Sequence, residues 1–230
     1  MFYYFDPLYL YLVLPAILLA LFAQFKVQST FNRYSQVYSS SRMTGAQVAR
    51  AILDRNGLQD VRIEHVSGKL SDHYDPRTNV VRLSDSVYNS SSIAAIGVAA
   101  HETGHALQYA QGYSPIKLRS ALIPITNIGS QLAIPLVLVG FLLEMLGLVY
   151  VGLILYSTMA LFQLVTLPVE FNASSRALQI LDTEGILYSD ELGGAKKVLS
   201  AAAMTYVAAL IVSLAQLLRL IAIFGRRRND

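Results

Sequence analysis

The chain has 230 residues, 54% apolar and only 14% charged, with a mean hydropathy of +0.45; these values exclude an ordinary soluble domain, a disordered chain and a coiled coil. With no cysteine there are no disulfides, no thiol catalysis and no cysteine-ligated metal, so any metal must be held by histidine and carboxylate. The net charge of +3 comes from 18 Lys and Arg against 15 Asp and Glu, and the basic residues are scattered along the flanks of apolar segments, which fits a membrane surface and speaks against nucleic acid as a partner.

The first apolar segment covers residues 8–25. Eighteen helical residues at about 1.5 Å each reach about 27 Å, enough to cross a hydrocarbon core. No Lys or Arg precedes Lys26, so the segment reads as a retained anchor rather than a signal peptide.

From Lys26 to Arg119 the composition becomes that of a small soluble domain. Thr44 caps an expected helix over 44–56, with Val48, Ile52 and Leu53 on one side and Asn56-Gly57 closing it. Residues 61–66 and 79–83 read as short strands separated by the turn Asp75-Pro76-Arg77-Thr78. Ser90, Ser91 and Ser92 offer N-caps for a helix that continues to about Tyr109 and stops near Gly112.

Residues 122–167 are mostly apolar with a single charge, Glu144, near their middle. That is too long for one straight span and predicts a helical hairpin turning at Glu144-Met145-Leu146-Gly147. A polar stretch follows over 170–197, then a last apolar stretch over 198–224 whose exit is marked by Arg226, Arg227 and Arg228, with Arg219 close enough to snorkel.

The expected fold is thus a mainly α integral membrane protein with about four transmembrane helices and a small α+β domain. The expected division is an anchor (1–26), the soluble domain (27–120), a transmembrane hairpin (121–168), a helical polar segment (169–197), a C-terminal span (198–225) and a basic tail (226–230). With four spans, both polar stretches share one membrane face and carry eleven and three of the basic residues. The positive-inside rule then places them in the cytoplasm of a multi-pass cell-membrane protein.

The sharpest chemical signal is His101-Glu102-Thr103-Gly104-His105 on the expected helix. Four residues at about 100° each put the two imidazoles about 40° apart and one turn above the other, so both reach one ion. Zinc accepts two such nitrogens plus one more protein ligand and leaves a fourth position for water. Glu102 lies beside the first ligand, where a base acting on that water belongs. Position 111 is Gln111, so the pattern with a third histidine six residues on is excluded. The downstream carboxylates are Glu144, Glu170, Asp182, Glu184, Asp190 and Glu191. Topology favours Glu170, which leaves the third span on the face of the His pair. Gly104 inside a helix costs about 1 kcal/mol against alanine, which a close helix approach would explain. His65 reads as an ordinary edge-strand histidine. The strand over 79–84 is a candidate exposed edge for binding substrate in extended form, and His73, Tyr74 and Arg176 are possible oxyanion donors, none of them assigned.

The run Tyr74-Asp75-Pro76-Arg77-Thr78-Asn79-Val80-Val81-Arg82-Leu83-Ser84, then Ala99-Ala100-His101-Glu102-Thr103-Gly104-His105-Ala106-Leu107-Gln108, then Leu167-Pro168-Val169-Glu170-Phe171-Asn172-Ala173-Ser174, resembles the YugP-type neutral zinc metallopeptidases of bacterial membranes over nearly the whole chain. It is more distantly similar to the HtpX and CaaX prenyl protease families. The resemblance implies a zincin-like (gluzincin) catalytic domain, a Zn2+ cofactor with His101, His105 and Glu170 as metal ligands, Glu102 as general base, and peptide or membrane-protein substrates. Ser174 stands where the distant relatives have Asp, and Asn172 where a carboxylate is common in the closer family, so the polar support behind the ligand histidines differs here. The competing class is a membrane scaffold or regulator that keeps a structural zinc without turnover. Oligomeric state is not legible.

Overall fold

The computed structural model describes residues 6–225; the Arg226-Arg227-Arg228 exit signal lies outside the described residues. A π-helical stretch, Tyr9–Val13, leads into α1 (Leu14–Tyr34), followed by α2 (Gly45–Arg55), β1 (Arg62–Val66), β2 (His73–Asp75), β3 (Val80–Ser84), α3 (Ile93–Ala110), α4 (Ser114–Leu142), α5 (Leu146–Thr183) and α6 (Ser189–Gly225). The chain forms two compact units.

One unit is drawn from the described parts of Met1–Gln24, Lys117–Pro168 and Met204–Asp230. Among the described residues four helices are long and apolar enough to cross a membrane, Tyr9–Tyr34, Ser114–Leu142, Leu146–Thr183 and Ser189–Phe224, as the sequence predicts. Ala133, Val137, Val149, Tyr156, Leu220 and Phe224 make the main buried cluster here. Apolar burial drives little association in lipid, so small residues that let backbones approach do the packing. A Cβ on Gly129 would lie 2.7 Å from the Leu155 carbonyl oxygen, and one on Gly152 would lie 2.8 Å from that of Ala133, which locks α4 against α5. The turn between them contains Glu144 with φ at +58°, where the hairpin was expected to reverse. Arg219 does more than snorkel: its Nε donates to Asp6 Oδ2 at 2.6 Å, and its guanidinium sits 5.3 Å from the centroid of the Tyr9 ring. Asp6 also accepts the Leu8 N–H at 3.0 Å, so one carboxylate caps the first helix and neutralises the cation.

The other unit comprises Phe25–Ile116 and Val169–Ala203. Thr44 and Gln47 form a reciprocal capping box at the start of α2, and Asn56 and Gly57, the latter with φ at +75°, end it. The sheet has three strands in the order β1-β3-β2, with β1 parallel and β2 antiparallel to β3. The sequence reading found β1 and β3 but missed β2, whose three residues are too few to show an alternating pattern. The expectation that the strand over 79–84 is an exposed edge is overturned. β3 is central, with Val80, Val81 and Leu83 fully buried, and the free edges belong to β1 and β2. The polar stretch after residue 169 continues α5 without a break to Thr183, and α6 takes it up again from Ser189.

Two apolar clusters hold this unit around α3. Ala49, Leu53, Val81, Leu83, Ala94 and Ala99 belong to one; Val48, Ile52, Ile96, Leu107, Ala177 and Leu181 belong to the other. Helix α3 is therefore buried on most sides, between the sheet and α2 and the extensions of α5 and α6.

Candidate active site

Ser92 starts α3 by accepting the Ala95 N–H on its hydroxyl at 3.2 Å. The following residues, Ile93, Ala94, Ala95, Ile96, Ala99 and Ala100, are all buried and fix the helix before it reaches His101. Two glycines then bring neighbouring helices close. A Cβ on Gly97 would rest 3.4 Å from the Ala195 Cβ, but one on Gly104 would collide with the Ala173 carbonyl oxygen of α5 at 2.8 Å. That contact is the close approach the sequence required to justify a glycine inside the motif, and it lies one residue from His105 and three from Glu170.

Three of the residues singled out in the sequence come together. His101 Nε2 lies 3.2 Å from Glu170 Oε2 and His105 Nε2 lies 3.6 Å from the same oxygen. The candidate ligand atoms of all three lie within 4.8 Å of one another, and the two imidazoles stand edge to face with centroids 4.7 Å apart. At Zn–N and Zn–O distances of about 2.0–2.1 Å, the edge of a tetrahedral site is about 3.3–3.4 Å, so both nitrogen–oxygen separations match ligands around one tetrahedral ion. The other ring nitrogens are engaged elsewhere: His101 Nδ1 meets the Ser174 hydroxyl at 3.1 Å and His105 Nδ1 meets Gln108 Oε1 at 3.0 Å. This leaves both Nε2 atoms facing the shared point. Two imidazoles and a carboxylate form a donor set suited to zinc, and the residues present fit such an ion.

Glu102 is 8% exposed. Burial raises the pKa of its carboxyl above the usual carboxylate value, against the opposing pull of His101 and His105. Asp72 is likewise raised by burial, although its carboxylate accepts the Ser84 N–H at 2.7 Å and the Ser84 hydroxyl at 2.9 Å.

The remaining sequence candidates lie elsewhere. Glu144 sits in the α4–α5 turn, Asp182 and Asp190 are exposed, Glu184 pairs with Arg55 at 2.7 Å, and Glu191 accepts the Ser40 N–H at 2.7 Å. His65, on edge strand β1, meets Asp85 at 2.5 Å, as expected of a structural histidine. The three suggested oxyanion donors are all engaged: His73 Nδ1 with the Ser71 carbonyl at 2.8 Å, the Tyr74 hydroxyl with Asn79 Oδ1 at 2.8 Å, and Arg176 with Asn172 and Gln111. The sequence reading overlooked Gln108 as a side chain acting on the site. Its spacing, three residues after His105 on the same helix, was the available signal.

The model of the family described as "Putative neutral zinc metallopeptidase" matches residues 9–225. The chain is 53% identical over 223 residues to "Putative membrane protease YugP" of Bacillus subtilis (strain 168), covering 97% of this chain and 99% of that one. No solved structure matches the chain.

Proposed function

Because the chain belongs to the neutral zinc metallopeptidase family whose model spans it, we propose that it is a membrane-embedded, zinc-dependent endopeptidase. The observation that carries this reading is the convergence of His101, His105 and Glu170, which stand 69 and 65 residues apart in sequence (170 − 101 and 170 − 105), with tetrahedral-edge spacing. His101 and His105 would bind through Nε2 and Glu170 through a carboxylate oxygen. Zinc held there would supply Lewis acidity to lower the pKa of a water and to polarise a scissile carbonyl.

Glu102 is the general base in this account. Its carboxylate takes a proton from the attacking water and returns it to the leaving amine nitrogen. Burial raises the pKa of its carboxyl, which makes the carboxylate a stronger base toward that water. Substrate in extended form would pair with an outer edge of the sheet, that of β1 or β2, since β3 already bonds on both sides. The substrates would be peptides or membrane-protein segments, and the excess of basic residues on the polar stretches supports a site on the cytoplasmic face of the cell membrane.

The test uses the full chain purified in detergent, with zinc measured and cleavage of an unfolded membrane-protein fragment followed. The expected result is about one zinc per chain and proteolysis that falls by at least about 100-fold in Glu102→Gln, with the metal retained. Equal cleavage by Glu102→Gln would refute the role of Glu102. Zinc binding with no proteolysis in either protein would replace the enzyme by a scaffold with a structural zinc.

A further inference from the structure

The least expected feature of the site is a chain of four side chains that ends on one of its histidines. His105 Nδ1 meets Gln108 Oε1 at 3.0 Å. The Gln108 amide nitrogen donates to the Val169 backbone carbonyl at 2.8 Å and to Asn172 Oδ1 at 3.0 Å. Asn172 Oδ1 also accepts from Arg176 Nε at 2.7 Å, and Arg176 Nη1 donates to Gln111 Oε1 at 2.5 Å. Gln108 is fully buried. The Arg176 guanidinium lies 5.9 Å from the centroid of the Tyr113 ring, which holds the far end of the chain in place.

The polarity of this network is fixed from both ends. A backbone carbonyl can only accept, so the Gln108 atom facing Val169 must be the NH2 group, and the atom facing His105 must be the oxygen. A guanidinium can only donate, so the Asn172 atom facing Arg176 must be its oxygen, which is also the atom that accepts from Gln108. The two constraints agree. They leave His105 Nδ1 facing an acceptor, so it must carry the proton, and in the neutral ring Nε2, on the side of the Glu170 oxygen, then keeps the lone pair. His101 has no such constraint, because the Ser174 hydroxyl can donate or accept.

We propose that Gln108 is a positioning residue for the metal site, holding His105 in its Nε2-binding tautomer and orientation, and that Asn172 and Arg176 hold Gln108. The proposal rests on the zinc-site reading above. A neutral amide anchored at both ends supplies here the orientation that a carboxylate often gives a ligand histidine.

The experiment measures zinc affinity of the purified full chain by chelator competition, alongside the unfolding temperature of the metal-free form. Gln108→Met keeps the length of the side chain but offers only a weakly accepting thioether and no donor, and it should weaken zinc binding about 10–100-fold. Asn172→Ala should weaken it in the same direction, while Asn172→Asp, which keeps the accepting oxygen, should hold zinc within about threefold of the parent. A role confined to packing would give Asn172→Ala and Asn172→Asp the same affinity, and that result would overturn the proposal. So would parental affinity in Gln108→Met. If Gln108→Met fails to fold, the Asn172 pair still decides. A parent chain that binds no zinc would instead defeat the metallopeptidase reading itself, before any variant is compared.

Discussion

Replacing Gly104 by alanine sets two effects of known sign against each other. An alanine in a helix interior is favoured over glycine by about 1 kcal/mol. The added Cβ, however, would lie 2.8 Å from the Ala173 carbonyl oxygen and 3.3 Å from its Cα, and both are backbone atoms that cannot swing aside. Restoring ordinary contact requires α3 and α5 to part by about 0.5 Å, and overpacking of that kind costs about 1–3 kcal/mol. The balance is a net loss of about 0–2 kcal/mol. The same displacement acts on the site, since α3 carries His101 and His105 and α5 carries Glu170, so zinc affinity should fall about tenfold or more. Gly193→Ala is the control: a Cβ there meets nothing within 4 Å, so only the helix gain of up to about 1 kcal/mol should appear. Thermal unfolding and chelator competition on both variants give the answer. Gly104→Ala with the raised stability of the Gly193 control and unchanged zinc affinity would refute the claim that this helix contact sets the ligand spacing.

Two further outcomes follow from the same geometry. Asp72 has a folded-state pKa raised by burial, so its unfolded form releases the proton first and stability falls as pH rises from about 3.9 through the folded value. Asp72→Asn keeps an oxygen for the Ser84 N–H and donates its amide to the Ser84 hydroxyl. The stability difference between variant and parent should therefore grow in the variant's favour across that window, and a difference independent of pH in thermal unfolding would contradict this. Ser174→Asp places a carboxylate at His101 Nδ1, now 3.1 Å from a hydroxyl, and should tighten zinc binding about tenfold in the chelator assay; equal or weaker binding would show that the hydroxyl already serves as well.

Much of this architecture is written in local pattern. The spans are legible because lipid demands long apolar runs, and the hairpin because Glu144 interrupts one with a charge. Helices α2 and α3 announce themselves through Thr44 and Ser92, whose caps are read from two or three residues. The joining of His101, His105 and Glu170 was accessible from helical spacing and topology together. What escaped was non-local. β2 has three residues and exists because β3 offers it a partner, so edge and centre of the sheet could not be distinguished in the sequence. The Gln108–Asn172–Arg176 chain depends on α3 and α5 touching at Gly104, a distance that spacing along one helix does not encode.

The proposed site holds one zinc with two histidines of α3 and one glutamate of α5. Its most direct test is zinc stoichiometry of the purified chain before and after Glu170→Ala, with unfolding of the metal-free proteins compared to confirm that both are folded. About one zinc per chain is expected in the parent and near none in a folded Glu170→Ala after dialysis. Full zinc retention in that variant would contradict it.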